Sequence, residues 1–197
     1  MGTASSSEPE VDPAAAVVGL ARSRRPTLGA GRLVCVDGPA GSGKTTLAGR
    51  VAAMTGAPVV HMDDLYEGWD GLPGVAAQLG TLLRPLARGE TGHYRRFDWH
   101  ADAYAETVAV APAPLLVLEG VGAGTAAYAA SMTVLVWVEA PPDLRLTRGL
   151  ERDGAEAEPH WRRWTVAEAA HFAADRTRER ADLLVDGTGR RAPLRLG

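Results

Sequence analysis

The chain has 197 residues, with 21 Lys plus Arg against 24 Asp plus Glu and a formal net charge of -3. That length suits one domain with a core of its own, and so slight an acidic excess excludes a global attraction to nucleic acid or an anionic membrane. A single cysteine, Cys35, excludes an internal disulfide, and the sequence shows neither a basic stretch followed by an apolar segment at its start nor an apolar run of membrane-spanning length, so a cytoplasmic protein is expected.

Residues 1–13 (MGTASSSEPEVDP) are rich in Ser, Glu and Pro and are expected to form a disordered leader to a single domain over residues 14–197. Asp12-Pro13 is a helix start, cap then first-turn proline, for a helix through Ala14 to Arg22. The apolar run Leu33-Val-Cys-Val36 reads as a buried strand in which Cys35 is a core residue. It leads into Gly38-Pro-Ala-Gly-Ser-Gly43-Lys44-Thr45, followed by a helical segment from Thr46 to Met54.

That strand, glycine-rich turn and helix make a P-loop. Gly38, Ala40, Gly41, Ser42 and Gly43, with the amides of Lys44, Thr45 and Thr46, would cradle phosphate oxygens at a helix N-terminus. Lys44 would reach the outer phosphates and the Thr45 hydroxyl would ligate Mg2+, so ATP with Mg2+ is the expected ligand. Composition supports the same residue. Every other cation in the chain is arginine, and a bias that strong spares Lys44 only where a compact ammonium is needed.

Beyond a break at Thr55-Gly-Ala-Pro58, the run Val59-Val-His-Met62 reads as a short strand ending on Asp63-Asp64, the edge where parallel sheets bind ligands. Leucines at 72, 79, 83 and 86 predict a helix over 72–88, stopped by Gly89. His93 to His100 has no clean period and reads as a loop or short hairpin. Pro114 to Gly120 and Thr133 to Glu139 are central strands, Pro141-Pro142-Asp143 opens a helix with Arg145, Arg148 and Arg152 on one face, and a last helix is predicted over 165–180. Asp182 to Gly187 closes the chain as a strand. Strands alternating with helices predict an α/β fold with a mainly parallel sheet.

Phosphoryl transfer also needs a metal carboxylate, a group to orient or deprotonate the nucleophile, and positive charge at the transferred group. Glu119, at a strand end, is a candidate for the metal, with a plain loop carboxylate as the alternative. Asp63 is the candidate base and Asp64 the next, against an acidic turn or cap. Arg148 and Arg152 are candidates for charge neutralisation, against a solvated face paired with Glu151 and Asp153.

The combination of Asp37-Gly-Pro-Ala-Gly-Ser-Gly-Lys-Thr-Thr, Asp63-Asp-Leu-Tyr66, Leu118-Glu-Gly120, Arg145-Leu-Thr-Arg148 to Arg152-Asp153 and Ala181 to Gly187 resembles the uridine kinase family of P-loop kinases. The resemblance implies a three-layer P-loop NTPase fold with a five-stranded sheet in the order 2-3-1-4-5 and a lid over about 145–164. It implies Asp63 as base for a nucleoside hydroxyl, Glu119 as the metal-associated carboxylate, and Arg148 and Arg152 as lid arginines. Tyr66, Asp70, Phe97, Trp99 and His100 fall where that family binds its nucleoside. The chain departs from the pattern at Arg148-Gly149, where relatives carry adjacent arginines, and at Phe97-Asp-Trp-His100, which replaces a Tyr-Asp-x-x-x-His stretch. Asp70 also fits a turn aspartate before Gly71, and Trp161 and Trp164 fit either a stacking surface or the packing of a lid.

Other readings remain open. The phosphate loop also resembles that of cytidylate kinases, although their Asp-Thr-Gly-x-x-Tyr-Arg segment is absent; kinases of pantothenate or sugar phosphates and a P-loop ATPase module fit too. A GTPase is excluded, because its Asn/Thr-Lys-x-Asp motif needs an Asn or a second Lys and the chain has neither. The five histidines form no His-Glu-x-x-His pattern and the late arginines form no basic stripe, so the expected partner is a small-molecule acceptor, not nucleic acid or a membrane. The sequence leaves oligomeric state open.

Overall fold

A computed structural model describes residues 11–196. The expected disordered leader falls largely on residues 1–10, outside the described residues. From there the Asp12 carboxylate accepts the Ala14 N–H and caps α1 (Pro13–Ser23), with Pro13 in the first turn as predicted.

The centre of the molecule is a six-stranded sheet in the order β2-β5-β1-β6-β7-β8. Its members are β1 (Arg32–Asp37), β2 (Val59–His61), β5 (Leu115–Glu119), β6 (Val134–Glu139), β7 (Leu183–Asp186) and β8 (Leu194–Arg195). The first five are parallel and, with the hairpin set aside, lie as 2-3-1-4-5; the expected five-stranded sheet falls one strand short, because β8 pairs antiparallel onto β7. A two-residue strand carries too short a pattern to be read from sequence.

Alternation along the central strands divides two cores. On one face Val34 and Val36 meet α1 and the phosphate-loop helix α2 (Lys44–Thr55) through Val17, Leu47 and Val51. On the other, Leu33 and Cys35 meet Leu79, Leu83 and Leu86 of α3 (Val75–Ala87) and Trp164 of α5 (Glu158–Asp175). Helices on both faces of a parallel sheet make the expected three layers. Cys35 is wholly buried, and burial pushes its thiol well up, in keeping with a core role.

The remaining differences are local. Met62–Asp64 is a 3-10 turn and not the end of β2, and the helix predicted over 72–88 begins with a 3-10 turn at Leu72–Gly74, where Pro73 and Gly74 delay the α ladder. The stretch around His93 is a full hairpin of β3 (Gly92–Asp98) and β4 (Ala103–Val110), whose outer residues are exposed and give no clear alternation. The last predicted helix is displaced. α5 starts at Glu158 and ends where Arg176 turns left-handed at φ 50°, leaving the short α6 (Thr177–Arg180). The helix before it, α4 (Pro142–Asp153), opens at Pro142 as expected.

Register decides what stands beside the phosphate loop. Val36 lies opposite Glu119, and Glu119 opposite His61, so three strands end side by side. Asp37, the last residue of β1, is completely buried and its carboxylate accepts N–H groups from Gly38 (2.7 Å), Gly122 (3.0 Å) and Gly124 (2.8 Å). It ties the phosphate loop to the loop leaving β5. Asp37→Ala strands three buried amides and is expected to cost about 3 kcal/mol or more, read as a lower urea midpoint at unchanged slope.

Candidate active site

The phosphate loop turns at the top of β1, and Gly43, at φ 101°, caps α2 in a conformation closed to other residues without strain. Gly41, Gly43, Lys44 and Thr45 line a cleft of about 820 Å³. Lys44 is 7% exposed and donates from Nζ to the Pro39 carbonyl at 2.9 Å. Burial lowers its pKa, while the carboxylates of Asp37, Glu119, Glu168 and Asp63 oppose that change. The Ser42 hydroxyl is buried, with no hydrogen-bond partner among the described residues. Gly38 and Ala40 spend their amides inside the protein, on Asp37 and on Glu168 at 2.8 Å. Thr46 is exposed on the first turn of α2 and does not line the cleft.

Glu119 reaches in from the end of β5. Its Oε1 accepts the Thr45 hydroxyl at 3.1 Å and contacts His61 Nδ1 at 2.5 Å. That hydrogen bond raises the His61 pKa against the opposing effect of its partial burial. Thr45 and Glu119 supply hard oxygen donors beside the phosphate loop, a set that suits Mg2+, which keeps waters and phosphate oxygens and takes few protein ligands. Among the described residues no group of three or more His, Cys, Asp or Glu side chains makes a protein cage for a metal.

Asp63 follows on the 3-10 turn after β2 and opens onto the same cleft. Its side chain is exposed to the open cleft, with protein around it on the other sides. The loss of bulk solvent raises its pKa first; Lys44 lowers it, Glu119 raises it, and Arg152 and His61 lower it.

Lid arginines close the third side, and the expected shared face of α4 is present. Arg145 donates to the Ala40 carbonyl (3.3 Å) and to Glu168 Oε1 (3.1 Å), and Arg148 to the carbonyls of Gly41 (3.1 Å) and Gly187 (3.2 Å). Glu168 of α5 is 2% exposed; burial raises its pKa while the Ala40 amide, Lys44 and Arg145 hold it down. Arg152 lines the cleft but is paired with Asp153 at 2.7 and 2.9 Å, as the solvated-face alternative had it, and the Trp161 indole N–H joins Asp153 at 2.9 Å. Gly149 explains a departure from the resemblance: a Cβ there would lie 2.3 Å from the Trp161 ring, so no arginine fits beside Arg148.

Aromatic groups form the remaining wall. Trp69, Trp99, Trp161 and Trp164 line the cleft with Tyr66, whose buried hydroxyl donates to the Val121 carbonyl. Trp161 and Trp164 are packed at 2% and 5% exposure and border the cleft.

Most expected residues converge on this cleft: Ala40, Gly41, Gly43, Lys44, Thr45, Asp63, Tyr66, Trp99, His100, Glu119, Arg148 and Arg152. Gly38, Ser42 and Thr46 do not line it. Three expected acceptor residues lie elsewhere. Asp64 turns away, 3.4 Å from the Tyr94 hydroxyl; Asp70 borders a separate cleft with Leu65, Glu67 and Tyr104; Phe97 is buried in the hairpin between Trp99 and Tyr104. In each case a single-residue turn or strand alternation decides which way the side chain points. The sequence singled out neither His61 nor Glu168, and it marked Asp37 only within the loop motif and Asp153 only as a partner of the arginine face. His61 had one signal, since it shares a strand parity with Asp63, whereas Glu168 is one glutamate in a charged helix.

No known protein-family profile matches the chain, and no curated protein matches it. Solved structures do. A protein described as a possible uridine kinase from Bacillus stearothermophilus aligns over 79% of this chain and 89% of its own, at 21% identity and a TM-score of 0.56. One described as a fructose transport system kinase, from Silicibacter sp. TM1040, aligns over 87% and 97%, at 24% identity and a TM-score of 0.60. The chain shares its P-loop α/β fold with these structures. Around the phosphate loop stand the ends of β1 and β5 with Asp37 and Glu119, the 3-10 turn with Asp63, and the helices α4 and α5. No helix among the described residues is long and apolar enough to cross a membrane.

Restoring an arginine at the lid tests the packing. Gly149→Arg is expected to displace Trp161 and cost about 1–3 kcal/mol, seen as a lower melting temperature and a weakened near-ultraviolet tryptophan signal.

Proposed function

We propose that the protein is a phosphotransferase that moves the γ-phosphoryl group of ATP, with Mg2+, to a hydroxyl of a nucleoside or nucleoside-like small molecule. The observation that carries this reading is the position of the Asp63 carboxylate in one cleft with Lys44, Thr45 and Glu119. A nucleotide-hydrolysing switch needs the last three; a carboxylate across the cleft from them suits a second substrate with a proton to give up.

In this reading the phosphate-loop amides and Lys44 hold the β- and γ-phosphates, and Lys44 exchanges its bond to the Pro39 carbonyl for phosphate oxygens. Thr45 and Glu119 would hold Mg2+, which when bound neutralises charge on the phosphates. His61 keeps Glu119 turned toward Thr45. Asp63 orients the acceptor hydroxyl and takes its proton as the oxygen attacks in line. Arg148 stands over the loop, and Arg152 reaches the transferred group by leaving Asp153.

Two substitutions test the assignment. Lys44→Ala is expected to lower kcat/KM by about a hundredfold or more, a loss of about 3 kcal/mol of transition-state stabilisation. Asp63→Asn is expected to lower kcat about a hundredfold while nucleotide affinity holds. Wild-type turnover in either variant, measured as acceptor-dependent ATP consumption, rejects the role given to that residue. ATP consumption without any acceptor would replace the transferase with an ATPase.

The pH profile gives an independent check. The base works ionised and its pKa is raised above the ordinary aspartate value, so kcat/KM is expected to fall as the pH drops through that raised value. That acid limb should disappear from the residual activity of Asp63→Asn.

A further inference from the structure

The acceptor end of the cleft has an unusual chemistry. Trp69, on the 3-10 turn Gly68–Asp70, is stacked on one face by His160 at 5.3 Å and sits with its ring centroid 5.5 Å from Trp99, 6.4 Å from Trp161 and 6.1 Å from Trp164, all edge-on, so one face is left for a ligand. Three of the polar handles of this wall are already engaged. Trp99 donates its indole N–H to the Asp63 carbonyl at 2.9 Å, Trp161 donates to Asp153, and the Tyr66 hydroxyl donates to Val121. What remains for a ligand is ring surface and the single N–H donors of Trp69 and Trp164.

The groups that ordinarily read a heterocycle's edge are missing. A side-chain amide pairs with such an edge through a donor and an acceptor together, yet the chain has no Asn and one Gln. That residue, Gln78, is spent on the Arg95 backbone at 3.1 and 3.3 Å, on the exposed side of the hairpin. The three cations of the cleft are engaged as well: Lys44 and Arg148 by carbonyls around the phosphate loop and Arg152 by Asp153. Asp63 and Asp153 flank the indoles with negative charge. His100, on the hairpin turn, offers one imidazole, which meets a donor or an acceptor equally well.

We infer that the site takes neutral planar-ring compounds bearing a hydroxyl, holds the ring by stacking on the indole wall, and accepts different ring edges while rejecting anionic acceptors. Stacking is tolerant because every heterocycle has a π-face, whereas discrimination between bases needs paired donors and acceptors that this wall lacks. The inference rests on the phosphotransfer reading for the position of the acceptor beside Asp63. Trp69 is its central residue, the one ring that the turn, the hairpin and the lid helix all meet.

The test is calorimetric titration of the full chain, with Mg2+ and a non-hydrolysable ATP analogue, using uridine, thymidine, adenosine, guanosine, ribose and uridine 5'-monophosphate. The four nucleosides are expected to bind within about tenfold of one another, and ribose and the monophosphate at least about tenfold more weakly. Trp69→Ala should weaken all four nucleosides by a similar factor of about tenfold or more, and Trp69→Phe should restore most of it, with affinity for the ATP analogue unchanged in both as the check on folding. A preference of about a hundredfold for one base, ribose or the monophosphate binding as well as the nucleosides, or no nucleoside binding at all overturns the inference. The two readings fail separately. Tolerant binding without phosphoryl transfer removes the kinase and leaves the stacking site; transfer to a single base removes the stacking site and leaves the kinase.

Discussion

The Asp37 carboxylate is the constraint on which the rest of the site depends. It is fully buried at the end of β1 and holds amides from both the phosphate loop and the loop after β5. Burial pushes its pKa up to about 6, against the three N–H bonds and Lys44, which hold it down. A buried carboxylate is costly unless its oxygens are satisfied, and here satisfying them locks two loops into one geometry. Glu119 and the loop behind it therefore keep a constant relation to Lys44 and Thr45.

A second set of contacts links that rigid base to the lid. Arg145, Arg148 and Glu168 engage the phosphate loop's own backbone, so α4 and α5 share its hydrogen bonds. Arginine suits this because its planar fork meets two carbonyls at once, as Arg148 does. Arg145 and Arg148 are thus held over the cleft floor by fixed backbone partners, which, in the proposed reaction, limits the ordering cost of using them.

Tryptophans extend the linkage outward. Trp99 fastens the backbone of Asp63, Trp161 fastens Asp153 and with it Arg152, and Trp69 lies between them. The proposed base and the proposed transfer arginine are thus joined by edge-to-face ring packing, which favours definite angles over sliding contact. Gly149 is the concession that admits the Trp161 ring, at the position where a resembling chain would place a second arginine.

Much of this was legible in the chain itself. The P-loop, the five parallel strands, the capped first helix and the arginine face of α4 all rest on local spacing, and local spacing survives folding because strand and helix periods are set by the backbone. The convergence of Lys44, Thr45, Asp63 and Glu119 was legible as well, since Glu119 ends a strand and the other three lie just past the ends of β1 and β2 at the same sheet edge. Tertiary structure alone decided the remainder. Whether Asp63 or Asp64 faces the cleft, and that Asp70 and Phe97 do not, turns on one residue of rotation in a 3-10 turn or a strand. The partners of His61 and Glu168, and the Gly122 and Gly124 amides on Asp37, come from strand register and helix packing that join residues far apart in the chain, and no local pattern encodes them.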